Sequence, residues 1–284
     1  MTMRLYRPVQ GGLILEEGER PGTFRRAPEG FSIDLLFRQD DPLSLTRKLF
    51  ASGTESPAFS PEDALLPPLE SQEIWAAGVT YFRSRSARME EAESAGGDIF
   101  YDKVYDAPRP ELFFKATASR ARGPGVPLGI RSDSTWDVPE PELTLAVDTR
   151  GAVFGYTVGN DMSSRSIEGE NPLYLPQAKV YRGSCAIGPC LVVGEAVTPE
   201  TGITLRITRH DTVIWQGSTT VSQIKRSFSE LAAHLYRSNE FPDGAYLMTG
   251  TGIVPESDFT LAPGDVVSIT IDGIGVLTNP IERV

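Results

Sequence analysis

Val138-Pro139-Glu140-Pro141-Glu142-Leu143-Thr144-Leu145-Ala146-Val147-Asp148 is the stretch on which the fold turns. Glu142–Asp148 has the dense apolar composition of a buried strand. Thr149-Arg150-Gly151 supplies a turn, and Val153–Val158 follows as its hairpin partner. In an extended chain residues i and i+2 point to the same side, so Glu140 and Glu142 present two carboxylates together at the strand mouth. If the two strands form a hairpin, the end of the second returns beside the start of the first. Asp161, in Gly159-Asn160-Asp161-Met162-Ser163-Ser164-Arg165, then becomes a third carboxylate at the same place. Carboxylates this close repel unless a cation or a proton sits between them, and a hard divalent cation with oxygen ligands is the simplest compensation. The alternative is a pair of glutamates solvated at a strand end.

Working outward, strands are expected at Ile74–Val79, Glu111–Lys115, Leu191–Val193, Ile203–Arg209, Thr212–Gln216 and Val266–Ile271. Arg83–Ala95, rich in Ala and Glu, predicts a helix that Gly96-Gly97 ends. A second helix is expected over Ser222–Tyr236, with Ile224, Phe228, Leu231 and Leu235 on one face. Residues 1–70 read differently: short strands at Met3–Pro8, Gly12–Leu15 and Ser32–Phe37, a helix start at Asp41-Pro42, and a proline-rich loop from Pro57 to Ser71. The expectation is a small N-terminal domain (1–70) followed by a larger domain (71–284), in a mainly antiparallel, mainly β, α+β fold.

With 284 residues, the chain has room for two domains or one large one at roughly 150 residues each. Lys and Arg number 27 against 38 Asp and Glu, a formal charge of −11, which argues against nucleic acid and against an anionic membrane surface as partners. No apolar run is long enough for a transmembrane helix, and the N-terminus lacks the pattern of a secretory signal. Cys185 and Cys190 are the only cysteines; two reduced, buried thiols fit a cytoplasmic protein. There is no phosphate-binding G-x-x-x-x-G-K-[ST], no strand–G-x-G-x-x-G–helix unit, no G-x-S-x-G and no H-E-x-x-H. His210 sits in an expected turn and His234 on an expected helix, so a Ser-His-Asp triad or a His-rich zinc site is not supported.

Three further charged residues stand near the carboxylates in the chain: Glu111 and Lys115 on the preceding strand, and Lys179 in Leu175-Pro-Gln177-Ala-Lys179. A lone Lys is ordinarily a solvated surface group, but beside a metal-held anion it can bind a carboxylate or exchange protons.

These residues resemble the fumarylacetoacetate hydrolase superfamily. The resemblance is carried by Gly78-Val-Thr-Tyr81, Arg109-Pro-Glu-Leu-Phe-Phe-Lys115, Glu140-Pro-Glu142-Leu, Gly155-Tyr-Thr-Val-Gly-Asn-Asp161-Met-Ser-Ser-Arg165, Lys179, Gly188-Pro189, Gly250-Thr-Gly252, Leu261-Ala-Pro-Gly-Asp265 and Gly273–Pro280. It implies a β-roll catalytic domain, Mg²⁺ (or Mn²⁺) on Glu140, Glu142 and Asp161, a 2-oxo acid or diketo acid substrate, and a homodimer or homotetramer. The hydrolases of that superfamily carry a His and a Glu after Gly-x-x-Tyr, where this chain has Ser84 and Ala87. Ile99–Glu111, Arg131–Trp136 and Gly169–Gln177 look like the branch that dehydrates 2-keto-3-deoxy pentonates to 2,5-dioxopentanoate. On that resemblance Glu111 and Lys179 are the candidate acid and base, and Arg165, Gly250 and Thr251 the candidate substrate-binding residues. The competing readings are a hydrolase or decarboxylase of a diketo acid such as an acylpyruvate, fumarylacetoacetate or oxaloacetate, and a non-catalytic metal-binding relative.

Overall fold

The computed structural model describes residues 2–81 and 105–284. The helix expected at Arg83–Ala95 and the positions of Ser84 and Ala87 lie outside the described residues. The N-terminal part contributes β1 (Met3–Tyr6), β2 (Ile14–Glu17), β3 (Phe24–Arg26) and β4 (Thr54–Glu55). The centre of the chain forms β5 (Glu73–Gly78), β6 (Glu111–Ala116), β7 (Leu128–Ile130), β8 (Asp137–Val138), β9 (Pro141–Val147), β10 (Val153–Asp161), β11 (Ser163–Ser164) and β12 (Cys185–Val193). The remainder forms β13 (Gly202–Arg209), β14 (Thr212–Thr220), β15 (Ala245–Met248), β16 (Val266–Ile271) and β17 (Gly275–Arg283).

Among the described residues ten strands make one sheet in the order β4-β3-β2-β1-β12-β10-β9-β15-β5-β6, and β14-β13-β16-β17-β7 make a second. All pairings in the large sheet are antiparallel except β5 with β15. β9 and β12 are buried along their whole length, because both faces of the large sheet are covered. On one face Leu143, Leu145 and Val147 pack into a core shared with Leu205, Ile207 and Ile269 of the second sheet. On the other, Ala146, Tyr246 and Met248 pack with Ile33, Leu36 and Phe37 from the N-terminal segment. Period-2 alternation thus assigns neighbouring residues of β9 to opposite cores. Residues 1–70 continue the large sheet, since β1 pairs with β12 from Met3↔Val193 to Leu5↔Leu191.

The β9–β10 hairpin forms as expected, with Glu142 opposite Gly159 and Pro141 opposite Asn160. Its turn is held by Asp148, whose Oδ1 accepts the backbone N–H groups of Arg150 and Ala152 at 2.8 and 2.9 Å. Gly151 follows at φ +88°, a conformation glycine adopts without cost. His210 and Asp211, at φ 48° and 61°, make the tight turn between β13 and β14.

Two expected elements differ. Ser32–Phe37 is not a strand: Ile33–Phe37 is a short helix, whose first N–H groups, on Ile33 and Asp34, are taken by Glu70 Oε2 at 2.8 and 3.4 Å. The helix expected over Ser222–Tyr236 covers only Phe228–Leu235, with Ser227 as N-cap, its hydroxyl accepting from Glu230 N–H. Upstream of it Val221–Gln223 makes a single 3-10 turn, and then Ile224 bridges to Tyr81 and Lys225 N–H donates to Thr80 O, which holds those residues extended beside the chain that leaves β5. The helix expected to start at Asp41-Pro42 runs over Pro42–Ser52, with Asp41 capping Ser44 N–H. No helix among the described residues is long and apolar enough to cross a membrane.

Candidate active site

The hairpin register sets the site. Asp161 N–H donates to Glu140 O at 3.0 Å, so the last residue of β10 lies beside the residue preceding β9. Glu140, Glu142 and Asp161 each offer a carboxylate oxygen within 4.8 Å of the others, and all three are buried. Burial, then the charges of Asp161 and Glu140, push the Glu142 carboxyl well above its ordinary value. Burial also works to raise Asp161, but the ammonium groups of Lys115 and Lys179 outweigh it and hold that carboxyl below its ordinary value.

Three cations answer the three carboxylates. Lys179 Nζ donates to Glu140 Oε2 at 2.7 Å and to Asp161 Oδ2 at 3.2 Å. Arg165 donates to Glu140 Oε1 at 2.7 Å. Lys115 pairs with Asp161 and donates to the backbone oxygens of Met162 at 3.0 Å and Lys179 at 2.6 Å. Both lysines have no exposed surface. Buried ammonium groups persist only when paired in this way. Lys115 was legible on β6 in the sequence, at even spacing from Glu111, but nothing local tied it to Asp161; it holds the end of the short Leu175–Lys179 helix as well as the carboxylate.

Of the remaining expected site residues, Arg165, Gly250 and Thr251 line the cavity with the carboxylates, whereas Lys179 contacts two of the carboxylates and Glu111 lies beside the lining residue Gly78. The Glu111 carboxylate lies against Gly78, its partner across β5 and β6, where a Cβ would overlap Oε2. Gly250 sits at φ +88° with no room for a Cβ beside Thr80 and Ala77. Its N–H donates to Glu142 Oε2 at 2.6 Å. The Thr251 hydroxyl accepts from Ile253 N–H at 3.2 Å. Gly78, Val79, Phe113, Arg165, Gly250 and Thr251 line the cavity into which the three carboxylates open. Phe113 and Val79 lie inside the motifs Arg109–Lys115 and Gly78–Tyr81, but their apolar side chains did not mark them as site residues. Val79, a β-branched residue at φ 51°, stores strain at the cavity wall.

A buried set of three oxygen donors suits a hard divalent cation and gives a soft one no sulfur or nitrogen ligand. Glu142, disfavoured as an anion by its surroundings, is stabilised by such a cation, so the residues present fit Mg²⁺.

The fold and this carboxylate cluster define a protein class: the model of the fumarylacetoacetate (FAA) hydrolase C-terminal domain matches residues 74–282, and the chain belongs to that family. Within it, the chain is 53% identical over 219 residues to a probable 2-keto-3-deoxyxylonate dehydratase of Haloferax volcanii, covering 76% of this chain and 74% of the relative. It is 43% identical over 219 residues to the 2-dehydro-3-deoxy-D-arabinonate dehydratase of Saccharolobus solfataricus, with 76% and 74% covered. Among solved structures, apo 2-keto-3-deoxy-D-arabinonate dehydratase superposes with a TM-score of 0.85 at 34% identity, over 100% of this chain and 99% of that one. The same dehydratase complexed with magnesium and 2,5-dioxopentanoate gives a TM-score of 0.82 at 34% identity, with the same coverage.

Proposed function

We propose that this chain is a Mg²⁺-dependent hydro-lyase that converts a 2-keto-3-deoxy pentonate, of the arabinonate or xylonate series, to 2,5-dioxopentanoate. The observation that carries the reading is the 53% identity to a dehydratase of that substrate class, over three quarters of both chains. On this reading Glu140, Glu142 and Asp161 hold the ion. Mn²⁺ has the same preference for oxygen donors. When bound, the ion supplies Lewis acidity toward the carboxylate and ketone of a 2-oxo acid.

The side chains carry the remainder. Three carboxylates against Lys115, Lys179 and Arg165 leave the cluster formally neutral. A divalent ion then adds two positive charges, which match the substrate carboxylate and the negative charge that develops at its C2 oxygen. Glu111, at the Gly78 wall, takes a proton from C3. Lys179 Nζ, held as a donor between Glu140 and Asp161, supplies a proton to the departing C4 hydroxyl, which leaves as water. The elimination leaves a C3=C4 double bond conjugated to the ketone; loss of a C5 proton and return of a proton to C3 move it to C4=C5, and tautomerisation of that enol, with a proton added at C4, gives the C5 aldehyde. Gly250 acts by aiming Glu142, and Thr251 and Arg165 line the substrate's side of the cavity.

The test is turnover of 2-keto-3-deoxy-D-arabinonate and its xylonate counterpart with Mg²⁺, the aldehyde being detected by a coupled dehydrogenase. Product formation is expected in wild type and its loss in Glu142→Gln, together with loss of Mg²⁺ binding by calorimetry. Pyruvate release from acylpyruvates, without dehydration, would replace this reading with the hydrolase one. We place the enzyme in the cytoplasm, in keeping with its two unpaired thiols, and as a homodimer or homotetramer, which sedimentation equilibrium would measure.

A further inference from the structure

A second cleft, of about 350 Å³, opens where the end of the Phe228–Leu235 helix meets β5 and β6. Its wall is apolar at Trp75 and Leu112, and its polar lining is basic or neutral: Arg109, His234, Arg237 and Asn239, with no carboxylate. Basic groups clustering around one cleft is unexpected in a chain of net charge −11. Elsewhere the arginines are commonly matched, as in Arg209 with Asp265 and Arg226 with Glu230. Arg109 and Arg237 make no ion pair among the described residues, and both are exposed. His234 Nδ1 is buried and has no hydrogen-bond partner. Partial burial, then the charges of Arg237 and Arg109, hold the His234 imidazole below its ordinary value, with Glu230 opposing. Like charges gathered at one cleft raise one another's free energy, and an anion bound between them lowers it.

We infer that this cleft is a binding site for a small organic dicarboxylate, separate from the carboxylate cluster. Two guanidinium groups suit two carboxylates, because each presents a planar fork of donors to one of them. The Trp75 and Leu112 wall suits a short carbon chain, which an inorganic phosphate lacks. His234 and Asn239 add neutral hydrogen-bonding groups to the lining. Leu112 belongs to β6, the strand that carries Glu111, so the two sites share one strand but face different surroundings.

Succinate is the appropriate probe, since it has no 2-oxo group with which to chelate the ion of the first site. Titrated into the Mg²⁺-loaded full chain and followed by calorimetry and tryptophan fluorescence, it is expected to bind saturably at one site. The Arg109→Gln/Arg237→Gln double variant should weaken that binding at least about tenfold, with dehydratase turnover retained as evidence of folding. Trp75→Phe should remove the fluorescence change while leaving the calorimetric binding in place. Absence of saturable binding, binding unaffected by the double variant, or phosphate binding as tightly as succinate would each overturn the assignment.

Discussion

Glu142 concentrates the chemistry of the site in one carboxyl group. Buried beside two other carboxylates, it holds a proton to a higher pH than an ordinary Glu. Cation binding requires the ionised form and so releases that proton. Mg²⁺ affinity is therefore expected to rise with pH until the metal-free Glu142 is ionised, and to level off above it. Calorimetry in buffers of different ionisation heat, repeated across a pH series, measures the effect; a binding heat independent of buffer at every pH would contradict it. Gly78 gives a second test. Ala at that position meets the movable end of Glu111, not backbone, so the fold should tolerate it within about 1 kcal/mol. The displaced carboxylate should nevertheless lower kcat roughly 100-fold, the scale of a lost acid–base group. Glu140, Glu142 and Asp161 were legible in the sequence because one hairpin and a two-residue period bring them together. The link from Gly250 N–H to Glu142 was not, since the two residues lie 108 apart in the chain and no local pattern joins them.

At the scale of single elements, β9 joins the two cores. Leu145 faces one of them with no exposed surface. Leu145→Ala should cost about 2–5 kcal/mol of stability, measured as a lowered urea midpoint with an unchanged slope. A loss below 1 kcal/mol would mean that the neighbouring side chains close the gap. Strands of this kind were legible because apolar density marks them whatever they pair with. The segment before the Phe228–Leu235 helix misled, since Ile224 continues the helical spacing but pairs with Tyr81 across a long stretch of chain. Ser32–Phe37 misled in the opposite sense: its alternating composition suits a strand, yet a carboxylate from Glu70 caps it as a helix. In both places a tertiary contact outweighed a local preference.

For the molecule as a whole, the net charge of −11 excluded partner classes but did not indicate where anions bind. The positive groups that matter are gathered in two places, around the carboxylate cluster and in the cleft by His234. The thiols follow the same logic of burial. Burial pushes both Cys185 and Cys190 up to about 12, Lys115 opposing at Cys185 and Arg4 at Cys190. At pH 8 both are therefore protonated and enclosed, and neither is a nucleophile. Native protein should leave a disulfide reagent unreacted, and denatured protein should consume two equivalents; prompt reaction of the native form would place a thiol at the surface.

The order of strands in the large sheet bears on how the protein is made. β1 leaves the ribosome before the other described strands, but its neighbour β12 ends at Val193. β5 waits longer still, because β15, which lies between it and β9, spans Ala245–Met248. The middle of the sheet therefore cannot close until synthesis has passed Met248, and β1–β4 spend that interval with open edges. Folding through such distant pairings is slow, and unpaired edges invite association with other chains. Synthesis at low temperature or with abundant chaperones should accordingly raise the soluble yield more than any single surface substitution does.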